Sequence, residues 1–120
     1  MTEPINLAEK LGRFTDHWAP KVVAELNGQQ VKLVKLQGAF VWHHHEHEDE
    51  LFLVLKGRLT IRFRDRDVVL EEGEMLVVPR GVEHLPVAEE EAHVLLFEPA
   101  STLNTGNVTS ERTVRELGRL

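Results

Sequence analysis

The chain has 120 residues, no cysteine and a formal net charge of -6, with 42% hydrophobic and 28% charged residues. The length fits one domain with a single core over residues 1–120, and the near-average composition excludes a disordered or fibrous class. The acidic balance argues against nucleic acid as a partner, and without cysteine the chain has neither disulfides nor thiolate metal ligands.

The N-terminal segment contains one predicted helix. Leu7, Leu11 and Phe14 recur at helical spacing behind Asn6, a residue type that caps helices. The first residues include acids instead of a signal-like apolar run, and no stretch of about 18 apolar residues occurs anywhere. The sequence therefore predicts a protein that does not enter a membrane and that is located in the cytoplasm.

From residue 21 onward the pattern changes to short strands. The segments KVVAEL and QQVKLVKLQ flank Asn27-Gly28, which predicts a hairpin with a tight turn. Further strands are predicted at residues 40–45, 50–56, 59–64, 67–70, 75–78 and 93–98. Because no strand is followed by a long helix, the body is predicted to be an all-β antiparallel sandwich or barrel.

Two polar stretches are predicted to lie outside these strands. The acidic run at residues 89–91 is interpreted as the tip of a hairpin. The last twenty residues are polar, but Val114 and Leu117 stand at helical spacing after Ser110. This pattern predicts a short C-terminal helix or a tail.

Residues 42–50 read WHHHEHEDE, and four of the seven histidines lie between positions 43 and 47. If residues 40–45 form a strand, His43 and His45 point to the same side. Glu50 begins the next strand, and His84 follows a Pro/Gly turn that can aim it inward. Three neutral imidazoles and one carboxylate suit Mn, Fe, Co, Ni, Cu or Zn better than calcium. We predict one divalent transition metal per chain, with His43, His45, Glu50 and His84 as ligands.

The histidine cluster also permits simpler interpretations. A histidine in a strand is usually a polar residue with ordinary partners, so a metal-free polar core is the alternative to a metal site. His47 forms a second His-x-His pair with His45, and it could be a ligand, an acid/base at a pocket mouth or an exposed loop residue. Its short interval to Glu50 favours exposure. His44 is expected to face away from the site, together with Trp42.

These residues resemble the two motifs of the cupins, a family of small β-barrels of the jelly-roll type. The first motif corresponds to Gly38, His43, His45, Glu50 and Gly57, and the second to Gly73, Pro79, Gly81 and His84. The chain departs from the pattern at two points. Gly38 is separated from His43 by four residues where five are usual, and Ala88 stands where the second motif ends in asparagine. Neither departure removes a ligand.

The resemblance covers about residues 31–99, and it implies a cupin-type jelly-roll β-barrel flanked by the N-terminal helix and the C-terminal helix or tail. It also implies a metal-dependent enzyme that acts on a small molecule, but cupins include oxygenases, isomerases and lyases, and the fold does not choose among them. The alternative is a non-catalytic module that binds a small molecule or a metal. This alternative is supported by the lack of a clear general base beyond the ligands. No catalytic residue is assigned.

The predicted strand at residues 50–56, ELFLVLK, is apolar on both faces. Phe52 and Val54 share the side of Glu50, which predicts an apolar lining beside the metal. The other face carries Leu51, Leu53 and Leu55, which need a covering layer from the opposite sheet or from another subunit. Since small cupins often form dimers, the resemblance implies a homodimer in which the hairpin at residues 21–37 participates.

Overall fold

One short helix and eight strands form the fold in the computed structural model, which describes residues 2–120. In chain order the elements are α1 (Leu7–Leu11), β1 (Lys21–Leu26), β2 (Gln29–Ala39), β3 (Glu50–Lys56), β4 (Leu59–Phe63), β5 (Asp67–Leu70), β6 (Met75–Val78), β7 (His84–Pro99) and β8 (Gly118–Arg119). The strands pair antiparallel, except that β8 runs parallel to β1. The prediction of an all-β antiparallel body is confirmed.

The hairpin predicted at Asn27 and Gly28 is confirmed. Both residues have positive φ, 49° and 77°, as required by a two-residue turn whose twist suits adjacent strands. β1 and β2 pair directly on either side of the turn, from Leu26 with Gln29 onward. β2 continues to Ala39, two residues beyond its predicted end, and pairs with β7 along its other edge.

β7 is the longest strand, and it joins the two sides of the fold. Its first four residues pair with β4, whereas its later part pairs with both β2 and β3. Between the pairs Leu36–Ala92 and Gly38–Ala88, β7 contains residues 89–91 where β2 contains one residue. The predictions of a hairpin tip at 89–91 and of a strand starting at 93 are therefore wrong. The exposed glutamates are accommodated in a bulge, which shifts the register without reversing the chain.

Residues 40–49 form an irregular segment, so the strand predicted at 40–45 is wrong. Gly38, with a φ of 85°, stands near the end of β2, and beyond Ala39 the chain leaves the ladder. The segment then meets β7 only at scattered positions. Phe40 N–H donates to the carbonyl of Pro86 at 3.0 Å, and His43 forms an isolated bridge with His84. The bridge fixes this loop against the start of β7.

Two apolar clusters lie on opposite faces of the central strands. The larger cluster includes Phe52, Val54 and Ile61, which point into the interior. The second cluster contains Phe14, Val23 and Leu33, and Leu7 and Leu11 of α1 pack against it. The N-terminal segment therefore supplies part of the covering layer that the outer face of β3 was predicted to need.

α1 begins where the sequence predicts it. The side chain of Asn6 accepts a hydrogen bond from Glu9 N–H at 3.0 Å, and Gly12 stands at the C-terminal cap. The helix has only five residues. No helix within residues 2–120 is long and apolar enough to cross a membrane.

The C-terminal segment forms turns and then the two-residue strand β8. Gly118 pairs with Lys21 and Arg119 with Val22, so β8 covers the start of the outer edge of β1. Among the described residues after Pro99 there is no helix. Of the two predicted alternatives, a short helix or a tail, the structure shows the tail.

Candidate metal centre

Four buried side chains from three parts of the chain converge in the interior. His43 and His45 come from the irregular loop, Glu50 is the first residue of β3, and His84 is the first residue of β7. One ligand atom from each of the four lies within 4.8 Å of all the others. Each residue is at most 4% exposed. The structure thus brings together every residue of the predicted ligand set, and this group could bind a metal.

Backbone hydrogen bonds position the two loops that carry the histidines. His43 N–H donates to the carbonyl of His84 at 3.1 Å, and His84 N–H donates to the carbonyl of His43 at 2.9 Å. In the turn before β7, Gly81 N–H donates to the carbonyl of His45 at 2.7 Å. Gly81 has a φ of 81°, a conformation that suits glycine because it has no Cβ. The Pro/Gly turn therefore positions both its own strand and the histidine loop.

Two of the imidazoles are oriented by backbone carbonyls. Nδ1 of His43 lies 2.9 Å from the carbonyl oxygen of Val41, and Nδ1 of His84 lies 2.9 Å from that of Val82. Because a carbonyl oxygen can only accept, each Nδ1 must carry the hydrogen. In the neutral ring, Nε2 then has a free lone pair. This is the arrangement in which histidine binds metals.

The remaining polar atoms of the cluster lack ordinary partners. Oε1 of Glu50 lies 3.3 Å from Nε2 of His45 and 3.4 Å from Nε2 of His84. None of these three buried atoms forms a hydrogen bond of acceptable geometry with the described residues. Buried polar atoms without a partner are rare and call for an explanation. A cation between them would satisfy all three atoms, so the donor set fits a metal.

The electrostatics of the cluster favour the protonation states that ligands require. Burial, together with the neighbouring His84, lowers the pKa of His43 to about 4. Burial alone would raise the pKa of Glu50, but its contacts with His45, His84 and Glu98 outweigh burial and hold this pKa well below the usual range. At neutral pH the cluster therefore presents a neutral imidazole at His43 and a carboxylate at Glu50.

A small cavity opens beside the cluster. His43 and Glu50 form part of its wall together with Glu98 and Asn104, and the rest is largely apolar: Trp18, Pro20, Val34, Leu36, Phe40, Phe52, Pro86 and Leu96. The space available to the centres of water-sized molecules is about 40 Å³, enough for a few waters or a small ligand. Phe52 lines this cavity as predicted. Val54 is not part of the cavity wall and lies fully buried in the apolar core.

A C-terminal turn holds the histidine loop from the other side. The side chain of Asn107 accepts a hydrogen bond from His44 N–H at 2.8 Å, and Asn107 N–H donates to the carbonyl of His44 at 3.0 Å. Gly106 packs so closely here that a Cβ would overlap the carbonyl oxygen of His44. The C-terminal segment therefore belongs to the structural support of the site.

The other histidines of the loop lie outside the cluster. The side chain of His47 is 84% exposed, in agreement with the interpretation that the interval to Glu50 favoured. His44 is half-buried and its Nε2 lies 3.9 Å from Glu46. Trp42 stacks under the guanidinium of Arg64 at 3.8 Å.

Sequence reasoning missed two charged residues next to the cluster. Nζ of Lys32 lies 2.7 Å from Oε1 of Glu98, and both side chains are only 2% exposed. Burial and the negative charge of Glu50 raise the pKa of Glu98 well above its usual range. The one sequence signal for this pair is that Lys32 and Glu98 occupy inward positions of their strands. This signal is too weak to predict a buried pair, since charged residues near the ends of strands are common.

Comparisons with known proteins agree with the motifs. Residues 30–98 match the cupin domain family. The crystal structure of a cupin-2 domain containing protein from Shewanella frigidimarina NCIMB 400 is 50% identical, with a TM-score of 0.78 over 79% of this chain and 93% of that chain.

Two curated proteins are also similar. The uncharacterized protein YdbB of Bacillus subtilis is 41% identical over 85 residues, which cover 70% of this chain and 75% of YdbB. The 3-hydroxyanthranilate 3,4-dioxygenase of Xenopus laevis is 27% identical over 105 residues, 82% of this chain but only 37% of the dioxygenase.

Proposed function

The chain belongs to the cupin family and has the predicted jelly-roll β-barrel fold, and from this premise we propose that it is a metal-dependent enzyme acting on a small molecule. The proposed ligands are His43, His45, Glu50 and His84. The observation that carries the proposal is the convergence of these four buried side chains beside a cavity, with three of their polar atoms lacking any other partner.

The ligand set limits the cofactor to a class of ions. Three imidazole nitrogens and one carboxylate suit Mn, Fe, Co, Ni, Cu or Zn, and the absence of a wholly oxygen-based set disfavours calcium. A divalent metal in such a set supplies Lewis acidity, or oxygen activation where the metal is redox-active. His43 and His84 would present Nε2 to it, since their Nδ1 atoms donate to carbonyls.

The cavity indicates what kind of ligand this chain would accept. Its small volume and its walls of Trp18, Phe40, Phe52 and Leu96 favour a small, partly apolar molecule. None of the described residues that line it is an arginine or a lysine, which argues against a phosphorylated substrate. The similarity to a dioxygenase, which covers 37% of that protein, supports an oxidative reaction over an isomerase or lyase reaction.

Elemental analysis combined with activity screening tests this proposal. We expect about one transition metal ion per chain in the purified protein. The metal-loaded protein should consume oxygen with at least one member of a panel of small aromatic and aliphatic compounds, and His84→Ala should not. A wild-type protein that takes up no transition metal from solution would refute the proposal.

A non-catalytic binding module is the second candidate, and one observation favours it. Apart from the proposed ligands, the polar side chains lining the cavity are Glu98 and Asn104. Asn104 is already engaged, because it donates to the carbonyl of Arg112 and accepts from Val114 N–H. A metal-loaded protein that binds small molecules but turns over none of the screened compounds would favour this candidate.

We also propose that the chain forms a homodimer through the uncovered part of its outer sheet face. Leu51 of β3 pairs with Val77 of β6 on one side and with Phe97 of β7 on the other, which places the three side chains on one face. Met75 lies on the same face, and Met75 and Val77 are 60% and 47% exposed. A second copy would cover this apolar surface. We also propose that the protein is located in the cytoplasm.

A further inference from the structure

A buried lysine, Lys32, and two buried carboxyl groups lie in a row across three adjacent strands. β7 lies between β3 and β2, with Phe97 paired to Leu51 on one side and to Val31 on the other. This register places Glu98 beside Glu50 on the inner face, and it places Lys32 diagonally across from Glu98. The row therefore runs from β2 through β7 to the proposed metal ligand on β3.

The contacts in this row are specific. Nζ of Lys32 donates to Oε1 of Glu98 at 2.7 Å, while Oε2 of Glu98 is buried and has no hydrogen-bond partner of acceptable geometry. The carboxyl groups of Glu98 and Glu50 are in contact, and both line the cavity. One oxygen of Glu98 is thus fixed by the ammonium group, and its carboxyl group reaches Glu50.

The stability of the core does not explain why Lys32 and Glu98 are buried together. Removing an ammonium group and a carboxyl group from water is costly, and a hydrophobic pair of similar volume often serves a core equally well or better. The surroundings would accept such a pair, because Lys32 faces Leu96 across the strands and the neighbouring core is apolar. The position of the pair, next to the one carboxylate of the cluster, indicates a role at the site.

Glu50 is the ligand that needs such support. The imidazoles of His43 and His84 are each oriented by a backbone carbonyl. For the carboxylate of Glu50, the described residues provide no comparable hydrogen bond, apart from its contacts with the cluster and with Glu98. Partners that orient the ligands of a metal strongly affect its affinity.

We propose that Glu98, held by Lys32, is a positioning residue that orients the carboxylate of Glu50 for metal binding. This inference rests on the proposed metal site and identifies residues outside the cupin motifs that determine its affinity. Lys32 acts only through Glu98, and neither residue is a ligand.

The double variant Lys32→Met/Glu98→Leu separates positioning from a structural role. Because it replaces the buried Lys32–Glu98 pair by apolar side chains of similar size, we expect the metal-free protein to remain folded and about as stable as the wild type. Its affinity for Co²⁺, measured by titration of the metal-free protein, should fall roughly 10- to 100-fold. The visible absorption of bound Co²⁺ should also change, since it reports the coordination geometry. If this pair does not pack, Lys32→Leu/Glu98→Met offers the reverse arrangement.

Two single variants serve as controls. In Glu98→Gln the amide can still accept a hydrogen bond from Lys32 and donate one to Glu50. We therefore expect a Co²⁺ affinity within about threefold of the wild type. This change is well short of the loss that is typical when the partner of a metal ligand is removed. Lys35→Met removes another buried lysine of β2, whose Nζ donates to the carbonyl of Phe14 on the other side of the sheet. It should lower stability without changing the Co²⁺ affinity or spectrum.

The outcomes distinguish this inference from the proposed function. A wild-type protein that binds no Co²⁺ refutes the metal site itself, and the inference with it. A wild-type protein that binds Co²⁺, together with a folded double variant of unchanged affinity and spectrum, overturns only the positioning role. Equal losses of affinity in Glu98→Gln and in the double variant would also overturn it, because an amide that can bridge Lys32 and Glu50 would then support metal binding no better than an apolar side chain.

Discussion

His43 and His84 are paired twice, once through their backbones and once through their rings. Their backbone groups exchange two hydrogen bonds, and the centroids of their imidazoles lie 4.3 Å apart. The bridge joins two residues that lie 41 positions apart in the chain. Because the backbones alone maintain this bridge, either side chain can be changed without releasing the loop from β7.

Removal of one imidazole should abolish tight metal binding while preserving the fold. His84→Ala leaves the backbone bridge in place but removes Nε2 from the proposed ligand set. We expect metal affinity to fall by at least about 100-fold, beyond the range for an outer partner. His47→Ala, which changes an exposed histidine of the same loop, should retain wild-type affinity. Stoichiometric metal at unchanged affinity in His84→Ala, measured by calorimetry and elemental analysis, would contradict the assignment.

The metal-free protein should lose stability on mild acidification. The pKa of His43 is about 4 in the folded protein and about 6.5 in an unfolded chain. Between these values the unfolded state binds more protons, so the free energy of unfolding falls as the pH is lowered through this window. The difference between the two pKa values corresponds to about 3 kcal/mol.

Urea unfolding of the chelated protein between pH 7 and pH 4 measures this effect. The side chain in His43→Gln cannot be protonated in this range. Between pH 7 and pH 4, the free energy of unfolding of this variant should therefore fall by about 3 kcal/mol less than that of the wild type. His47→Gln is the control and should follow the wild type. Parallel pH curves for wild type and His43→Gln would show that His43 is not held neutral by the fold.

Iron(II) bound at the site should keep a position for an external ligand. Four protein ligands leave two positions unfilled at an ion that can take six, and the cavity adjoins the cluster at His43 and Glu50. We expect the anaerobic iron(II) protein to bind nitric oxide and to give an iron-nitrosyl signal in electron paramagnetic resonance. The absence of an adduct in a fully iron-loaded sample would contradict the enzyme proposal and favour the non-catalytic binding module.

A charge on the outer sheet face should prevent dimerisation. Val77→Asp places a carboxylate in the middle of the uncovered apolar surface, where a second copy would have to desolvate it. Light scattering coupled to size exclusion should show a dimer for the wild type and a monomer for this variant. Val69→Asp changes an equally exposed valine on β5 and should remain dimeric. A wild-type monomer at high concentration would contradict the proposed homodimer.

The turn at Gly106 should prove more sensitive to a methyl group than other glycine turns. Gly106 and Gly73 both have positive φ, 55° and 83°, so alanine strains the backbone at each. Only at Gly106 would the added Cβ also overlap the carbonyl of His44, whereas at Gly73 no atom lies within 4 Å. We expect Gly106→Ala to be less stable than Gly73→Ala by roughly 1–3 kcal/mol, and to bind metal more weakly. Thermal unfolding and Co²⁺ titration of both variants measure the two effects.

The convergence of the four proposed ligands could be predicted from the sequence because each of them carries a local signal. His43 and His45 are two residues apart, Glu50 opens an apolar strand, and His84 follows a Pro/Gly turn, so each residue stands out from its neighbours. The four side chains converge as predicted, although the assumed strand at 40–45 does not exist. An extended loop anchored at His43 also presents two side chains two residues apart to the same interior.

Lys32 and Glu98 could not be predicted in the same way. They are 66 residues apart, and their contact depends on the register between β2 and β7. That register includes the bulge opposite Gln37, and a bulge in the middle of a strand has no reliable sequence signal when acidic residues form it. The predicted strand at 93–98 contains Glu98, but the hairpin predicted at 89–91 separated it from the first part of β7, so its pairing with β2 and β3 was not predicted.

The pairing of β7 with β2, β3 and β4 also determines when the contacts of the candidate site can form during folding. His84 and Glu98 stand near opposite ends of this one strand, Lys32 and Glu50 belong to two of its neighbours, and the histidine loop is bridged to its first residue. None of these contacts can form until a strand late in the chain has closed loops of many residues, the step that slows the folding of β proteins. The complete ligand set is therefore a property of the fully folded chain, and tight retention of a metal ion would report that β7 has docked.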